Sequence, residues 1–555
     1  MKRFLNQTTL VLAVLTFVIT FVVLNCAPHL FLSFLYSAFL ISLVLLCLKN
    51  ICPKLARLIL IFYLFILATQ ISSIMLTENY IDAIALTNLD EYTSIPFSTR
   101  LKIIEILIGF VICAFFIRLY PQHYTKKAYS SIVLIVSILF ILPKNAPFPA
   151  TSFINLAYNT TIQYYKHSKT DKSIREEQKK LYGKNYIVMN TDEELVTSVP
   201  NLQNKNIIVF FTEALSAQKI DLFNNYTDLT PNLSAFIKKS LYFDNYYNHT
   251  FSTYRGLRGQ LSSSYQFTGI VKAQKLTNAA VTKKFSAELI SLPQILSQNN
   301  YHTYFLSAQT YKSCNLNYML NTLGFDQLFT PEEFAFNNDL TDQQLFAALK
   351  KLMTEKKLKE PYFLAIYNLG THFGEDSPDL KYQDGNNSLL NNVHNFDNAF
   401  GKWFDAISQH PNIINNLAII LTADHAAYAD KQYCTTFEYE PEYWIDKIAL
   451  AIYSPQISPQ TIDAQGRNSL DIAPTILHML HINNAQNYFL GCSLFKPTCI
   501  LPFNHYTVAG DMAYKTQDNH VYPKPQLDKW DEHILSLIEN FYHLSEAFSE
   551  IPSKK

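Results

Sequence analysis

The amino-acid sequence predicts an N-terminal bundle of five transmembrane helices followed by a C-terminal α/β domain. Two observations lead to this prediction. Apolar residues are concentrated before residue 150, in stretches long enough to cross a bilayer. After residue 205 the pattern changes to short apolar runs separated by polar and helical segments, the alternation typical of a sheet with crossover helices.

The composition excludes several classes of protein. Of the 555 residues only 16% are charged, and 45 Lys and Arg balance 45 Asp and Glu, which argues against a disordered chain and against a nucleic-acid partner. The 13 glycines form neither G-x-G-x-x-G nor a Walker A motif, which removes the usual nucleotide cradles. The eight cysteines show no paired C-x-x-C spacing, so neither a zinc ribbon nor a dense disulfide framework is expected.

Five apolar stretches come near the length of about 20 residues that a membrane-spanning helix needs. A removable signal peptide would be a single short run, whereas here the first run is followed at once by others. We therefore predict that all five are retained as membrane helices. They lie at 9–26, 30–48, 58–76, 103–120 and 128–144.

Charged residues between these stretches predict the orientation in the membrane. Basic residues precede the first span and occupy the second and fourth connections, which places those ends in the cytoplasm by the positive-inside rule. The third connection carries Glu78, Asp82, Asp90 and Glu91 and is expected outside. An odd number of spans then places the rest of the chain outside as well. We expect a multi-pass protein of a bacterial inner membrane with its α/β domain in the periplasm or outside.

The chain is predicted to divide into four parts. An amphipathic stretch at Phe153–His167 belongs to a connector, and a second one at Gln526–Ser549 belongs to a C-terminal extension. The boundaries are a transmembrane domain at 1–144, the connector at 145–204, the α/β domain at 205–500 and the extension with its helix at 501–555.

Metal-competent side chains stand just past the ends of three predicted strands. Glu213 follows the run from Asn206, His372 follows the run from Tyr362, and Asp424 with His425 follows the run from Leu417. In open α/β sheets the ligand crevice lies outside the carboxyl ends of the strands, so these side chains are expected to converge. Two carboxylates and an imidazole suit Zn²⁺ or Mn²⁺ and, less decisively, Mg²⁺.

The segment around Thr253 supplies hydroxyl groups immediately before a predicted helix. Free backbone N–H groups at a helix N-terminus favour phosphate, and coordination to a divalent cation activates a hydroxyl as a nucleophile. Thr253 is the best-placed candidate, with Arg255 and Arg258 close enough along the chain to neutralise phosphate oxygens. The alternative is that Ser252 and Thr253 form an ordinary N-cap and that the arginines lie on a solvated face.

With these residues placed, about residues 205–500 resemble the alkaline phosphatase/sulfatase superfamily. The resemblance is closest to the membrane-bound phosphoglycerol and phosphoethanolamine transferases, the group of lipoteichoic acid synthase. Glu213 matches the first metal-binding Glu of that group. Further motifs follow in the order of the family: TPNL from Thr230, TYRGLRG from Thr253, LPQIL from Leu292, GTH from Gly370, TADH from Thr422, DIAPT from Asp471 and GCSLF from Gly491.

The resemblance implies roles for individual residues. It implies that one catalytic divalent metal, Zn²⁺ or Mn²⁺ with Mg²⁺ as a third option, is held by four ligands: Glu213, Thr253, Asp424 and His425. Thr253 would be the nucleophile. His372 and Arg255 would bind substrate, the first at the transferred group or leaving oxygen and the second at the charge that develops. No His occurs between His425 and Asp471, where the phosphoethanolamine branch has a further one.

The resemblance also implies a reaction. A phosphoethanolamine or phosphoglycerol headgroup would move from a membrane phospholipid donor to an envelope glycolipid or glycan acceptor through a phospho-threonine intermediate. Two alternatives remain open: a membrane-anchored phosphodiesterase, phosphatase or sulfatase-family hydrolase, and a catalytically silent relative that senses lipid. Sulfatases need C/S-x-P-x-R for their formylglycine, and this sequence contains no such pentapeptide.

Four cysteines follow the predicted spans: Cys314, Cys434, Cys492 and Cys499. In an oxidising compartment some of them can pair, and Cys492 with Cys499 is the shortest closure. The sequence alone leaves the connectivity open.

Overall fold

The chain forms two compact units, Met1–Lys169 and Thr170–Lys555. In the second unit the computed structural model describes residues 197–548 except 266–289, 312–315, 443, 484, 486, 488, 500–501, 510–511 and 518. In the first unit it describes 52–77 and the scattered positions 23–24, 30–32, 34, 80–81, 101, 103–106 and 108–110.

The first unit contains helix α1, Pro53–Thr77, which encloses the predicted third span at 58–76. Within the described part of the chain, this is the one helix long and apolar enough to cross a membrane, over Pro53–Met75. One face is buried, whereas Leu58, Phe62 and Phe65 on the helix are more than half exposed. Large apolar side chains exposed on a helix suit contact with lipid. The other four predicted spans and the amphipathic stretch of the connector lie outside the described residues or touch them only at scattered positions.

The second unit is built around an eight-stranded sheet, which confirms the predicted α/β fold. The strands are β1 Asn206–Thr212, β2 Leu241–Asp244, β3 His302–Ser307, β4 Gln327–Phe329, β5 Tyr362–Tyr367, β6 Leu417–Ala423, β7 Ala451–Tyr453, β8 Gln460–Asp463, β9 Tyr506–Ala509, β10 Met512–Gln517 and β11 His520–Pro523. In the large sheet the strand order is β4-β3-β5-β1-β6-β7-β2-β8, and β7 alone runs antiparallel to its neighbours β6 and β2. A separate antiparallel sheet has the order β11-β10-β9.

Helices cover the large sheet, and every residue of its central strands β5, β1 and β6 is buried. Burial on both faces explains why these strands read as continuous apolar runs rather than as alternating ones. The helices of this unit are α2 Pro231–Lys238, α3 Thr253–Ser262, α4 Leu292–Gln298, α5 Leu316–Leu320, α6 Asp342–Thr354, α7 Ser388–Ser408, α8 Pro411–Ile414, α9 Lys431–Phe437, α10 Ile472–Met479 and α11 Lys529–Phe548.

An aromatic cluster fixes α6 and α7 on the sheet. Phe210 of β1 contacts the rings of Phe346, Phe400 and Trp403 with centroid distances of 5.2–5.6 Å. The side chain of Asn387 accepts hydrogen bonds from the first turn of α7 and so sets where that helix begins. The packing holds the central strand, and therefore the residue that follows it, in one position.

The C-terminal part folds onto the same unit. Helix α11 lies within the predicted amphipathic stretch 526–549, and Ile534, Leu535 and Ile538 on it are buried. Asp531 of α11 accepts hydrogen bonds from Tyr506 of β9 at 2.6 Å and Lys515 of β10 at 2.8 Å. The division of the chain at 205 and 500 stays a prediction.

Cys492 and Cys499 form a disulfide with a Cα–Cα distance of 5.8 Å. The pairing of Cys492 with Cys499, which closes the shortest loop among the four cysteines, is therefore present in the structure. The loop that it closes lies against Arg467, which donates from Nη2 to the carbonyl oxygens of Cys492 and Ser493. Arg467 is in turn paired with Asp471 at 2.7 Å, so the disulfide loop is part of a buried charged cluster.

Candidate metal centre and active site

Three adjacent parallel strands end at the candidate site. Strand β1 lies between β5 and β6, and the pairing register places Thr212 beside Ala423. Glu213 and Asp424 are the next residues of their chains, so they leave the sheet side by side. His425 follows at once, and the three side chains offer ligand atoms that lie within 4.8 Å of one another. The structure therefore brings together three of the four side chains that were predicted to converge, and His372 is not part of this group.

In each of the two carboxylates, Glu213 and Asp424, one oxygen accepts hydrogen bonds from the protein and the other accepts none from the residues that the structure describes. Asp424 Oδ1 accepts from the backbone N–H groups of Ala214 and His425, at 2.9 and 2.8 Å. Glu213 Oε2 accepts from Thr253 and Tyr367. Among the described residues the buried oxygens Glu213 Oε1 and Asp424 Oδ2 accept no well-formed hydrogen bond, and the group that faces them is the His425 ring nitrogen Nε2. A buried carboxylate oxygen without a partner is costly, which is the setting a bound cation relieves.

His425 is oriented toward these two oxygens. Its Nδ1 donates to the carbonyl oxygen of Ala426 at 2.7 Å, which leaves Nε2 as the nitrogen that faces the carboxylates. Nε2 lies 3.3 Å from Glu213 Oε1 and 3.5 Å from Asp424 Oδ2. A backbone hydrogen bond on one ring nitrogen is the usual way in which a metal-binding histidine is held. The donor set of two carboxylates and an imidazole therefore fits a divalent cation.

The pKa shifts of Glu213, Asp424 and His425 are also those expected at a cation site. Burial and the Glu213 carboxylate raise the pKa of Asp424 well above its usual range. Burial opposes charge on His425, but Asp424 and Glu213 raise its pKa to about 9. Burial likewise opposes charge on Glu213, yet His425 and then His372 hold its pKa below the ordinary value. The negative charge clustered here thus raises the pKa of both Asp424 and His425, and a bound divalent cation would offset the same charge.

Thr253 completes the cluster. Its Oγ1 donates to Glu213 Oε2 at 2.8 Å, and the residue opens helix α3 with its side chain partly exposed. Ser252 is the N-cap residue, but its side chain makes no capping hydrogen bond. The alternative in which Ser252 and Thr253 form an ordinary N-cap is therefore not observed.

Two residues beside the cluster have a left-handed backbone. Ala214 follows Glu213 with φ 50°, and Ser252 precedes Thr253 with φ 64°. Such conformations in residues other than glycine cost on the order of 1 kcal/mol or more and collect at functional sites. Here they turn the chain sharply after β1 and before α3, which brings Thr253 to Glu213.

Asn368, directly after β5, supports the loop that carries Glu213. Its Oδ1 accepts from the Glu213 N–H at 2.9 Å, and its Nδ2 donates to Asp342 and Thr371, each at 3.1 Å. Thr371 Oγ1 then donates to the Glu213 carbonyl oxygen at 2.7 Å. The backbone of Glu213 is therefore held on both its polar groups by the segment after β5.

Helix α3 packs directly on the residues after β6. Gln260 Nε2 donates to the carbonyl oxygens of Ala423 and Asp424, both at 2.9 Å. A side chain at Gly256 would place its Cβ 2.2 Å from the Asp424 carbonyl oxygen, so only glycine fits there. These contacts set the separation between Thr253, at the start of the helix, and Asp424.

The two predicted substrate-binding residues lie in different surroundings. His372 is partly exposed, and its Nδ1 donates to the Phe373 carbonyl oxygen at 2.8 Å, which leaves Nε2 for a ligand. It lines a cleft that also includes Ala214, next to Glu213 in the chain, and Ala427, two residues after His425. Arg255 is fully buried, and its Nε donates to the Phe251 carbonyl oxygen at 3.1 Å. A direct contact of Arg255 with phosphate stays a prediction.

Three residues of the site were not found from the sequence. Tyr367 donates to Glu213 Oε2 at 2.7 Å, and Asn368 holds the Glu213 backbone. Both stand at the end of β5, four to five residues before His372, which is the signal that could have identified them. Lys219 lines the cleft although it is only 2% exposed. Burial of a lysine depends on tertiary packing, so the sequence carries no signal for it.

Comparison with known proteins gives consistent matches. The sequence model described as Sulfatase matches residues 205–482, half of the chain. Lipoteichoic acid synthase 2 of Bacillus subtilis (strain 168) is 22% identical over 389 residues, covering 63% of this chain and 58% of that protein. Phosphoglycerol transferase I of Citrobacter koseri is 24% identical over 315 residues, covering 52% and 38%.

A solved structure shows the same fold. The crystal structure of the lipoteichoic acid synthase LtaP from Listeria monocytogenes aligns with a TM-score of 0.51 at 14% identity, covering 68% of this chain and 98% of that chain. The matches to the two sequence relatives span only 58% and 38% of their lengths. The match of the family model, the α/β fold and the order of the motifs agree, and the chain belongs to the sulfatase family.

Proposed function

We propose that this chain is a membrane-anchored, metal-dependent phosphotransferase. It moves a phosphoethanolamine or phosphoglycerol headgroup from a membrane phospholipid to an envelope glycolipid or glycan through a phospho-threonine intermediate at Thr253. The observation that carries the proposal is the hydroxyl of Thr253, 2.8 Å from a buried Glu213 whose other oxygen has no hydrogen-bond donor among the described residues.

The proposed metal is a single Zn²⁺ or Mn²⁺ ion, with Mg²⁺ as a third option. Its ligands are four: Glu213, Thr253, Asp424 and His425. When bound, such a cation lowers the pKa of a hydroxyl and stabilises negative charge on phosphoryl oxygens. The buried carboxylate oxygens Glu213 Oε1 and Asp424 Oδ2 and the oriented His425 Nε2 support this assignment.

In the first step, Thr253 Oγ1 forms a bond to the phosphorus of the donor headgroup, and the bond from phosphorus to the diacylglycerol oxygen breaks. The Thr253 hydroxyl loses its proton to Glu213 Oε2, to which it already donates a hydrogen bond. The diacylglycerol oxygen takes up a proton, for which His372 Nε2 is the candidate donor at the cleft. Diacylglycerol is apolar and returns to the bilayer.

In the second step, a hydroxyl group of the acceptor attacks the phosphorus of phospho-Thr253. The bond between phosphorus and Thr253 Oγ1 breaks, and Thr253 Oγ1 takes a proton back from Glu213 Oε2, which restores the hydroxyl. His372 Nε2, with Nδ1 held by Phe373, is placed to take the acceptor's proton. Two successive half-reactions on one enzyme predict ping-pong kinetics. Arg255 is proposed to stabilise the developing charge.

The relatives and the apolar first unit support a lipid donor. The two sequence relatives are a lipoteichoic acid synthase and a phosphoglycerol transferase. Helix α1 is long and apolar enough to cross a membrane. We propose that it is the third of five spans, that the protein lies in the bacterial inner membrane and that its sulfatase-like domain, at about 205–500, lies outside the cytoplasm. A membrane-embedded enzyme can take its donor directly from the bilayer.

Release of diacylglycerol tests the proposed function. The full chain, with Mn²⁺ or Zn²⁺, is mixed with vesicles of phosphatidylglycerol or phosphatidylethanolamine, and the lipid products are separated by chromatography. We expect diacylglycerol from one of the two lipids, and a loss on the order of 10³-fold or more in Thr253→Ala, as for removal of other enzyme nucleophiles. Thr250→Ala is the matched control, because the buried Thr250 hydroxyl has no partner among the described residues.

The products distinguish the proposal from its alternatives. Diacylglycerol release that persists in Thr253→Ala would contradict the role of Thr253. A wild-type chain that releases only the free phosphorylated headgroup, even with an acceptor glycan present, would be a hydrolase. A metal-loaded wild-type chain that binds both lipids and releases nothing would be a lipid sensor.

A further inference from the structure

Lys219 is a buried lysine in the wall of the cleft that contains His372, beside the candidate metal centre. It ends a short 3₁₀ turn, Ala217–Lys219, that follows β1 and Glu213. The residue is 2% exposed, whereas lysines are almost never fully buried unless their charge is compensated. None of the motifs in the sequence includes it, and the proposed reaction gives it no role so far.

The charge of Lys219 is compensated by its surroundings rather than by one direct partner. Burial lowers its pKa to about 8, and four carboxylates oppose this effect: Glu213, Asp424, Asp430 and Asp446. Within the described residues the ammonium group makes neither a hydrogen bond nor an ion pair. An ammonium group has three N–H donors, and here they are available to a ligand.

Two other buried or half-buried cations of the same unit, Arg467 and Lys515, are paired directly with a carboxylate. Arg467 Nε lies 2.7 Å from Asp471, and Lys515 Nζ lies 2.8 Å from Asp531. Both are counter-ions that hold elements together. Lys219 differs from them because carboxylates surround it without touching it.

Lys219 and His372 line the same cleft. The cleft also includes Thr371, and it reaches Ala214, next to Glu213 in the chain, and Ala427, two residues after His425. A ligand that binds at His372 in this cleft therefore has the Lys219 ammonium group on the wall, which also carries the acidic residues Glu375 and Asp430. A buried cation in a cleft of low dielectric attracts an anionic oxygen more strongly than a surface lysine does.

We propose that Lys219 binds an anionic phosphoryl oxygen of the substrate. This inference rests on the proposed function, because it takes the ligand of the cleft to be a phosphoryl compound. The Lys219 ammonium group would supply a positive charge from the protein itself, in addition to the charge of the proposed divalent cation. No bond is made or broken by Lys219, and its contribution is to the binding and position of the phosphoryl group.

Inorganic phosphate is the probe for this role. The full chain in detergent is loaded with Mn²⁺, and the phosphate Kd is measured by calorimetry for the wild type and for Lys219→Met and Lys219→Arg. Methionine keeps most of the aliphatic stem and so preserves packing, whereas arginine keeps the charge. Lys238→Met, at an exposed lysine of α2, is the matched control. The Kd for Mn²⁺ is measured on each variant as well.

We expect Lys219→Met to weaken phosphate binding about tenfold or more, because it removes a charge-assisted hydrogen bond. Lys219→Arg is expected to change the Kd by less than about threefold, and Lys238→Met to leave it unchanged. The Mn²⁺ affinity of Lys219→Met is expected to stay within about twofold of the wild type. This combination separates anion binding from any effect on the metal site.

Several results would overturn the inference. They are a wild-type phosphate affinity in folded Lys219→Met, no phosphate binding by the wild type, and a parallel loss of Mn²⁺ and phosphate affinity. Lys219→Gln replaces the methionine variant if that variant does not fold. Misfolding of both neutral variants would make the charge a structural requirement and would also overturn the inference. Phosphate binding that depends on Lys219 in a chain that transfers nothing would contradict the proposed function alone.

Discussion

Asn368→Ala tests whether the segment after β5 holds the metal site in place. The substitution removes three hydrogen bonds of 2.9, 3.1 and 3.1 Å, to the Glu213 N–H, Asp342 and Thr371. Asn368 is 2% exposed, so its partners are left buried without it. At about 1 kcal/mol for each hydrogen bond, the unfolding free energy should fall by about 3 kcal/mol. Because supporting hydrogen bonds orient metal ligands, metal affinity should fall by about 10–100-fold.

The assay measures these two quantities on the full chain in detergent. Calorimetric titration with Mn²⁺ gives the metal Kd, and thermal unfolding of the metal-free chain gives the change in stability. Asn391→Ala is the matched control. Asn391 is equally buried and also makes three hydrogen bonds, to Tyr382, Asp376 and Gly385, at 2.9–3.0 Å.

Both variants should lower the unfolding temperature to a similar extent. Only Asn368→Ala should weaken Mn²⁺ binding, because only Asn368 contacts the backbone of Glu213. Equal Mn²⁺ affinity in the two variants would refute this reasoning. It would mean that the position of Glu213 does not depend on Asn368.

Three further predictions concern the second unit. Burial raises the pKa of Asp342 from 3.8 to about 7, so as pH rises the unfolded chain releases this proton before the folded chain does. The stability of the wild type should therefore fall between about pH 4 and about pH 7. The unfolding temperature of Asp342→Asn, measured relative to the wild type, should rise across that range and then level off. Gly256→Ala places a Cβ 2.2 Å from the Asp424 carbonyl oxygen, so it should lower the unfolding free energy by about 1–3 kcal/mol and weaken Mn²⁺ binding. Gly109→Ala is the control, because its Cβ would have no atom within 4 Å, and it should change neither quantity. Equal Mn²⁺ affinities in the two variants would contradict this prediction. Replacing both Cys492 and Cys499 by Ser opens a loop with a sequence separation of 7 and should lower the unfolding free energy by about 2–3 kcal/mol. Denaturant unfolding measures this change, and an unchanged midpoint would show that the disulfide does not stabilise the fold.

The arrangement of the candidate ligands could be predicted because it follows from strand direction. Glu213 and Asp424 each end an apolar run, and parallel strands present their carboxyl ends at one edge of the sheet. Thr253 could be predicted because a hydroxyl directly precedes a helical segment. In both cases the position depends on local pattern and on one general rule of α/β folds.

Other features depend on packing that no local pattern records. The sequence does not show that Asn368 contacts Glu213, since the two residues lie 155 positions apart. It does not show that Arg255 is fully buried or that Lys219 lines a cleft, because both are properties of the folded chain. The order of the strands is likewise hidden, since β7 is short and runs against its neighbours. Of the five predicted spans, the described residues include a complete helix only for the third.

The most direct test of the account is to locate the covalent intermediate. The full chain is incubated with Mn²⁺ or Zn²⁺ and the donor lipid, without acceptor, then acid-quenched, and its intact mass and peptide masses are measured. We expect a mass gain of one phosphorylated headgroup, carried by the peptide that contains Thr253 and absent in Thr253→Ala. Turnover without any modified peptide, or a modification that persists in Thr253→Ala, would contradict it.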